Sequence, residues 1–238
     1  MTPRQIYEKY AAAVAYVSVE TKDGDHGIGT AFHVGNGVFV TARHVIEEKE
    51  ILSVATTESR LVPDPNGLVS IHGQKGTFTR VPAGKGTFEV GPYFHPDDSI
   101  DVAAFKIAGI EPAIVQLGGH LDDWIEDSSF MLMRSIVMGY PPIPFSKEPL
   151  LVASSAEVNA VVDKRKERHP HFVVSALARG GFSGGPCITE HDFVLGLVTE
   201  SLMSGSQASE LGFMTVLTVE PIYNCLEHYG ILPDCQKI

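Results

Sequence analysis

At 238 residues and 44% hydrophobic content, the chain can bury the core of one large or two small domains, which excludes a mainly disordered state. Its 29 Asp and Glu against 18 Lys and Arg give a formal charge of -11, which argues against nucleic acid or an anionic membrane as a partner and favours a protein. Three cysteines, Cys187, Cys225 and Cys235, are too few for a disulfide framework and leave Cys225 with Cys235 as the one candidate pair.

The N-terminus carries no continuous apolar run, and no stretch reaches the ~20 apolar residues of a spanning helix, so the expectation is a soluble, cytoplasmic protein. Ile6, Tyr7, Tyr10 and Ala11, at near-helical spacing, predict a short amphipathic helix on the outside of a larger body. The β-branched and aromatic run over residues 14–20 predicts a strand, ended by the turn signal Asp23-Gly24. Residues 27–34 and 38–44 predict a hairpin around Gly35-Asn36-Gly37, and its second strand finishes at Thr41-Ala42-Arg43-His44.

Residues 51–90 alternate short apolar pieces with Gly, Pro and Asn, a punctuation that suits a sandwich or barrel of short strands. The segment 95–107 then places Asp97 and Asp98 as solvated loop acids and Asp101 inside an apolar run. A carboxylate entering a core costs several kcal/mol unless a donor meets it, so Asp101 needs a partner such as an imidazole N–H. The acidic middle, with Trp124 and an expected helical turn over 121–125, reads as a connection between halves.

Strands resume at 130–133, 136–140, 150–153 and 156–162, and the charged run 163–168 reads as a solvated hairpin tip. His169-Pro170-His171 lacks further ligands at metal spacing and reads as a surface turn; no metal and no cofactor are expected. Residues 172–175 and 193–199 are strands, 201–209 a flexible loop, and 212–217 another strand. Pro221, the face Ile222, Cys225, Leu226 and Tyr229, and Gly230 as stop predict a C-terminal helix.

Between two of these strands lies Gly180-Gly181-Phe182-Ser183-Gly184-Gly185-Pro186. A serine that attacks carbonyls needs a base and a pair of donors for the oxyanion, and glycines around it free the backbone to supply those donors. Three fragments belong together: Thr41-Ala42-Arg43-His44-Val45, Ile100-Asp101-Val102-Ala103 and Gly181-Phe182-Ser183-Gly184-Gly185-Pro186. In order and separated by 57 and 82 residues, they resemble the three motifs of trypsin-like (chymotrypsin-fold) serine proteases. The Thr-Ala-x-His-Val and Asp-Val-Ala forms are most similar to the bacterial high-temperature-requirement branch and its single-domain relatives, without a PDZ-like module.

The resemblance implies an all-β fold of two six-stranded antiparallel β-barrels, over about 14–112 and about 128–218, with a terminal helix over 219–230. It implies a serine endopeptidase acting on a protein or peptide substrate, with His44, Asp101 and Ser183 as catalytic triad and the N–H groups of Gly181 and Ser183 as oxyanion hole. Thr199, Glu200 and Ser201 would lie along the substrate backbone, and Leu177 with Ala178 would line the primary pocket. An apolar floor at Leu177 implies an apolar P1 residue, although Glu200 and Glu210 lie nearby. Phe182 stands where digestive relatives carry an acid that binds a newly cut N-terminus, so control is expected from a regulatory protein partner or from the loop over 178–182.

Three rival readings compete with this one. An α/β-hydrolase needs a helix straight after the serine and its acid and histidine downstream, whereas Gly184-Gly185-Pro186 forbids the helix and only 55 residues remain. A latent or inactive protease-fold binding module would keep the same motifs. A structural β-protein would need His, Asp and Ser to align by accident.

Overall fold

A computed structural model of the chain describes residues 1–71, 73–110, 113–118, 130–144, 146, 148–163, 169–176, 180–204 and 209–237. Helix α1 (Pro3–Tyr10) starts at Thr2, whose hydroxyl accepts from the Gln5 N–H at 3.3 Å while the Gln5 side chain accepts from the Thr2 N–H at 2.9 Å. This reciprocal cap satisfies two donors that a helix start leaves open. Ile6 and Tyr10, one turn apart, form its buried stripe.

The first sheet contains β1 (Val14–Thr21), β2 (His26–Gly35), β3 (Val38–Thr41), β4 (Lys49–Pro63), β5 (Val69–Ile71), β6 (Gln74–Phe94) and β7 (Ala103–Ala108). Six of them run β4-β1-β2-β3-β7-β6 and close through β4–β6 pairing, with β5 added on the far side of β6. A single helical turn, α2 (Arg43–Ile46), follows β3. The second barrel closes β8 (Arg134–Gly139), β9 (Val152–Asp163), β10 (Pro170–Val174), β11 (Pro186–Thr189), β12 (Val194–Ser204) and β13 (Ser209–Thr218) in the order β10-β13-β12-β11-β8-β9. Helix α3 (Glu220–His228) and a 3₁₀ turn (Asp234–Gln236) end the chain. The expected pair of six-stranded antiparallel barrels with a helix at each end is therefore present.

Inward-facing residues fill each barrel: Phe39 stacks on Phe105 at 6.0 Å in the first, and Phe130 meets Phe172 edge-on at 5.7 Å in the second. The β2–β3 turn puts Gly35, Asn36 and Gly37 all at positive φ, which two glycines and an asparagine tolerate.

Three strand expectations are corrected. Residues 130–133, expected as a strand, form a turn with Leu132 at φ 63 ahead of β8. Residues 51–90 form long strands, not short ones: β4 pairs β6 from Val54↔Gly86 to Pro63↔Gly76, and the ladder passes Pro82 and Gly84 where a register shift falls between Thr56 and Thr57. Residues 201–204 continue the β12–β13 ladder out to Ser204↔Ser209, where a loop was expected over 201–209. Nor do the cysteines pair, since all three are free. Cys225 on α3 faces the Tyr93 carbonyl, and burial pushes its thiol pKa up to about 12, while Cys235 faces the Val34 carbonyl on a different strand. The expectations for the turn over 121–125 and for the tip over 164–168 lie outside the described residues.

Candidate active site

Strand β3 delivers Thr41 and Ala42 to the α2 turn, so that His44 leaves the barrel wall with its side chain half exposed. Asp101 lies just before β7, at 22% side-chain exposure, and meets His44 twice. Its Oδ1 accepts from the His44 backbone N–H at 2.9 Å, and its Oδ2 lies 2.7 Å from His44 Nδ1. Two contacts to one residue fix both position and rotation of the imidazole. A carboxylate at Nδ1 holds that proton and leaves Nε2 as the basic nitrogen.

The loop carrying Asp101 is built locally. Asp97 Oδ1 accepts from the Ser99 N–H at 2.9 Å and hydroxyl at 2.7 Å, and the His95 N–H reaches the Val102 carbonyl at 3.0 Å. Arg43 then straps the loop to α2: its guanidinium meets Asp98 at 2.9 Å and Glu47 at 2.8 Å and lies over the Phe94 ring at 5.1 Å. Partial burial opposes its charge, but Glu47 and Asp98 outweigh that and raise its pKa. His95 is buried, and burial lowers its pKa more than its bond to Asp97 raises it.

Ser183 comes from the turn between β10 and β11 in the second barrel, and the first barrel receives it closely. The Thr30 N–H donates to the Ser183 carbonyl at 3.0 Å, and a Cβ on Gly184 would meet the Thr30 carbonyl oxygen at 2.1 Å and the Ala42 nitrogen at 2.9 Å. Phe182 is 4% exposed, and its ring lies against Gly139, where an added Cβ would meet it at 2.8 Å. Hydrophobic burial anchors the loop here, in the place of an ion pair; a fully buried Phe is worth about 1.5–3 kcal/mol. Gly181 is at φ +95, and neither its N–H nor that of Ser183 has an acceptor among the described residues.

The structure thus brings His44 and Asp101 into contact and seats the Ser183 loop two residues from His44. The Ser183 hydroxyl donates to the Thr199 carbonyl at 3.3 Å; among the described residues it makes no hydrogen bond to the imidazole. Thr199 lies on β12 with its hydroxyl 3.0 Å from that of Thr215, and Glu200 and Ser201 pair with Thr215 and Met214 on β13. Leu177 and Ala178 lie outside the described residues. Sequence reasoning missed the Arg43 strap and the role of Thr30, because an arginine beside a histidine, or a threonine in an apolar strand, carries no signal of a distant partner.

No curated protein matches the chain by sequence. Among solved structures, the active form of the Rv3671c protease from M. tuberculosis is similar at 17% identity and a TM-score of 0.62, covering 98% of this chain and 89% of that one. The serine endoprotease from Yersinia pestis is similar at 14% identity and a TM-score of 0.60, covering 99% and 68%. The HtrA-type protease AlgW with tripeptide gives 14% and 0.60, covering 99% of this chain and 65% of AlgW. The sequence family described as trypsin-like peptidase domain matches residues 29–197, from the strand that receives the serine loop to the strand behind the serine. The chain belongs to the trypsin-like peptidase family.

Proposed function

We propose that the protein is a serine endopeptidase that cleaves protein or peptide substrates through an acyl-enzyme. The observation that carries this is the doubly held His44–Asp101 pair on the rim against which the Ser183 loop is docked. In this reading Ser183 Oγ attacks the scissile carbonyl while His44 Nε2 takes its proton and returns it to the leaving amine. Water then repeats the step on the acyl-enzyme. Asp101 holds the tautomer and stabilises the imidazolium. The N–H groups of Gly181 and Ser183 receive the oxyanion, and residues 199–201 pair with the substrate backbone as an added strand.

In the resting arrangement the Ser183 hydroxyl donates to the Thr199 carbonyl, and the proposed mechanism requires it to leave that carbonyl and turn to His44. That same hydrogen bond favours the second reading, a latent enzyme in which a protein partner or the loop over 178–182 drives that change. Labelling with a fluorophosphonate separates the two. We expect wild type to be labelled and Ser183→Ala not, and Asp101→Asn to lose roughly 10⁴-fold in kcat. Labelling of both proteins overturns Ser183 as nucleophile, and labelling of neither favours the latent form. An apolar P1 preference follows from Leu177; a peptide library cut mainly after Lys or Arg would overturn it.

A further inference from the structure

Thr30 is a residue of β2, fully buried, in the barrel opposite the serine loop, and all of its hydrogen-bonding atoms are engaged at the junction of the two barrels. Its N–H donates to the Ser183 carbonyl at 3.0 Å. Its hydroxyl donates to the Gly181 carbonyl at 2.5 Å and accepts from the Tyr140 N–H at 2.9 Å, and its own carbonyl accepts from the Thr41 hydroxyl at 2.6 Å. The Gly181 carbonyl also accepts from the Tyr140 N–H at 3.3 Å.

The consequence lies in the peptide planes. Thr30 fixes the 181–182 and 183–184 peptides through their carbonyl oxygens, on either side of the 182–183 peptide, whose carbonyl is held by the Gly185 N–H at 2.8 Å. With those three planes set, the Ser183 N–H has one orientation, and the torsions at Gly181 are limited from the C-terminal side. We propose that Thr30 is the positioning residue of the oxyanion-binding loop: one hydroxyl in the first barrel keeps the Gly181 carbonyl turned inward and the two N–H donors open. This rests on the reading of Gly181 and Ser183 as oxyanion donors given above. The residue touches no substrate and acts through the loop alone.

A group that sets donor orientation acts on the transition state more than on the ground state. Thr30→Val keeps the shape and removes the hydroxyl, while Thr30→Ser keeps the hydroxyl and removes a methyl. The kinetics use an apolar-P1 peptidyl p-nitroanilide, and a peptidyl boronate of the same sequence serves as tetrahedral mimic. Both are measured where near-ultraviolet circular dichroism shows each variant folded. We expect Thr30→Val to lose roughly 10²-fold in kcat with KM within a few-fold, to bind the boronate weaker by a similar factor, and Thr30→Ser to recover most of both.

Equal losses in kcat and in ground-state peptide binding, or kcat in Thr30→Val within two-fold of wild type, overturn the proposal while leaving the peptidase reading intact. An unlabelled wild type, or hydrolysis that survives Ser183→Ala, overturns that reading instead. If Thr30→Val does not fold, Thr30→Ala is judged by the same criteria, and if neither folds Thr30→Ser decides: near-normal kcat supports the assignment, and a ten-fold loss ends it.

Discussion

Gly184 shows how a single position can join two barrels. At φ +83 it sits in the left-handed region, and a Cβ there would meet the Thr30 carbonyl at 2.1 Å, the Thr41 hydroxyl at 2.3 Å and the Ala42 nitrogen at 2.9 Å. Two of the three obstacles are backbone, so no side-chain rotation relieves them. Gly184→Ala therefore combines backbone strain of about 1–3 kcal/mol with overpacking of about 1–3 kcal/mol, and urea unfolding should show a loss of about 2–6 kcal/mol. Gly180→Ala is the control, because no atom of the described residues lies within 4 Å of the added Cβ and its stability should stay within about 0.5 kcal/mol. Equal effects at the two positions would show that the serine loop does not dock on the first barrel as described. The glycine pattern around Ser183 was legible in the sequence. Its division of labour was not, because the colliding atoms belong to residues 30, 41 and 42, more than a hundred positions away.

Elements defined by local pattern were read more faithfully than elements defined by partners. The β2–β3 hairpin is announced by its own Gly-Asn-Gly turn, and helix α3 by Pro221 and Gly230. Strands β4 and β6 look broken by Pro63, Pro82 and Gly84, yet they run long because each is the other's partner through a register shift that skips Ala83, between the Thr57↔Pro82 and Thr56↔Gly84 pairs. Register shifts near Val198 and Ser201 do the same for β12. The 95–101 loop follows this logic in its titration as well. His95 is 6% exposed, and its depressed pKa means that below the ordinary 6.5 the unfolded chain takes up a proton that the folded chain refuses. Its stability contribution is therefore complete above about pH 6.5 and is lost as pH falls toward the folded value, by at most about 1.4 kcal/mol per pH unit. Urea unfolding at pH 7.5 and 5.5 should show a steeper acid loss in wild type than in His95→Gln. Parallel losses would mean that His95 is protonated as easily in the folded state as in the unfolded one.

At the scale of the molecule, the two ends of the chain cross over. Helix α1 precedes the first barrel yet is tied to the second: Lys9 and the Tyr10 hydroxyl meet Asp192, in the β11–β12 turn, at 2.6 and 2.9 Å. After the second barrel, α3 and the 3₁₀ turn return to the first. Tyr229 donates to the Phe94 carbonyl at 2.8 Å, and the buried Gln236 side chain donates to Val34 and Val115 carbonyls at 2.7 and 2.9 Å and accepts from the Leu117 N–H at 2.9 Å. Separating the barrels thus requires breaking straps at both ends as well as the contacts around Thr30 and Gly184. The two are held together without a bridging disulfide, and unfolding is expected to be one transition. Gln236→Ala tests this at a distance from the serine. It leaves the Val115 carbonyl and the Leu117 N–H without their Gln236 partner and the Val34 carbonyl with only the Cys235 thiol; at about 1–3 kcal/mol for each of the first two groups, the denaturation midpoint should fall by the equivalent of about 2–6 kcal/mol. Far-ultraviolet circular dichroism and peptidase activity, which under the proposed mechanism needs groups from both barrels, should lose their signals together in the variant as in wild type. A variant in which activity disappears well before the β-sheet signal would show that the C-terminal strap serves the first barrel alone and that the halves unfold separately.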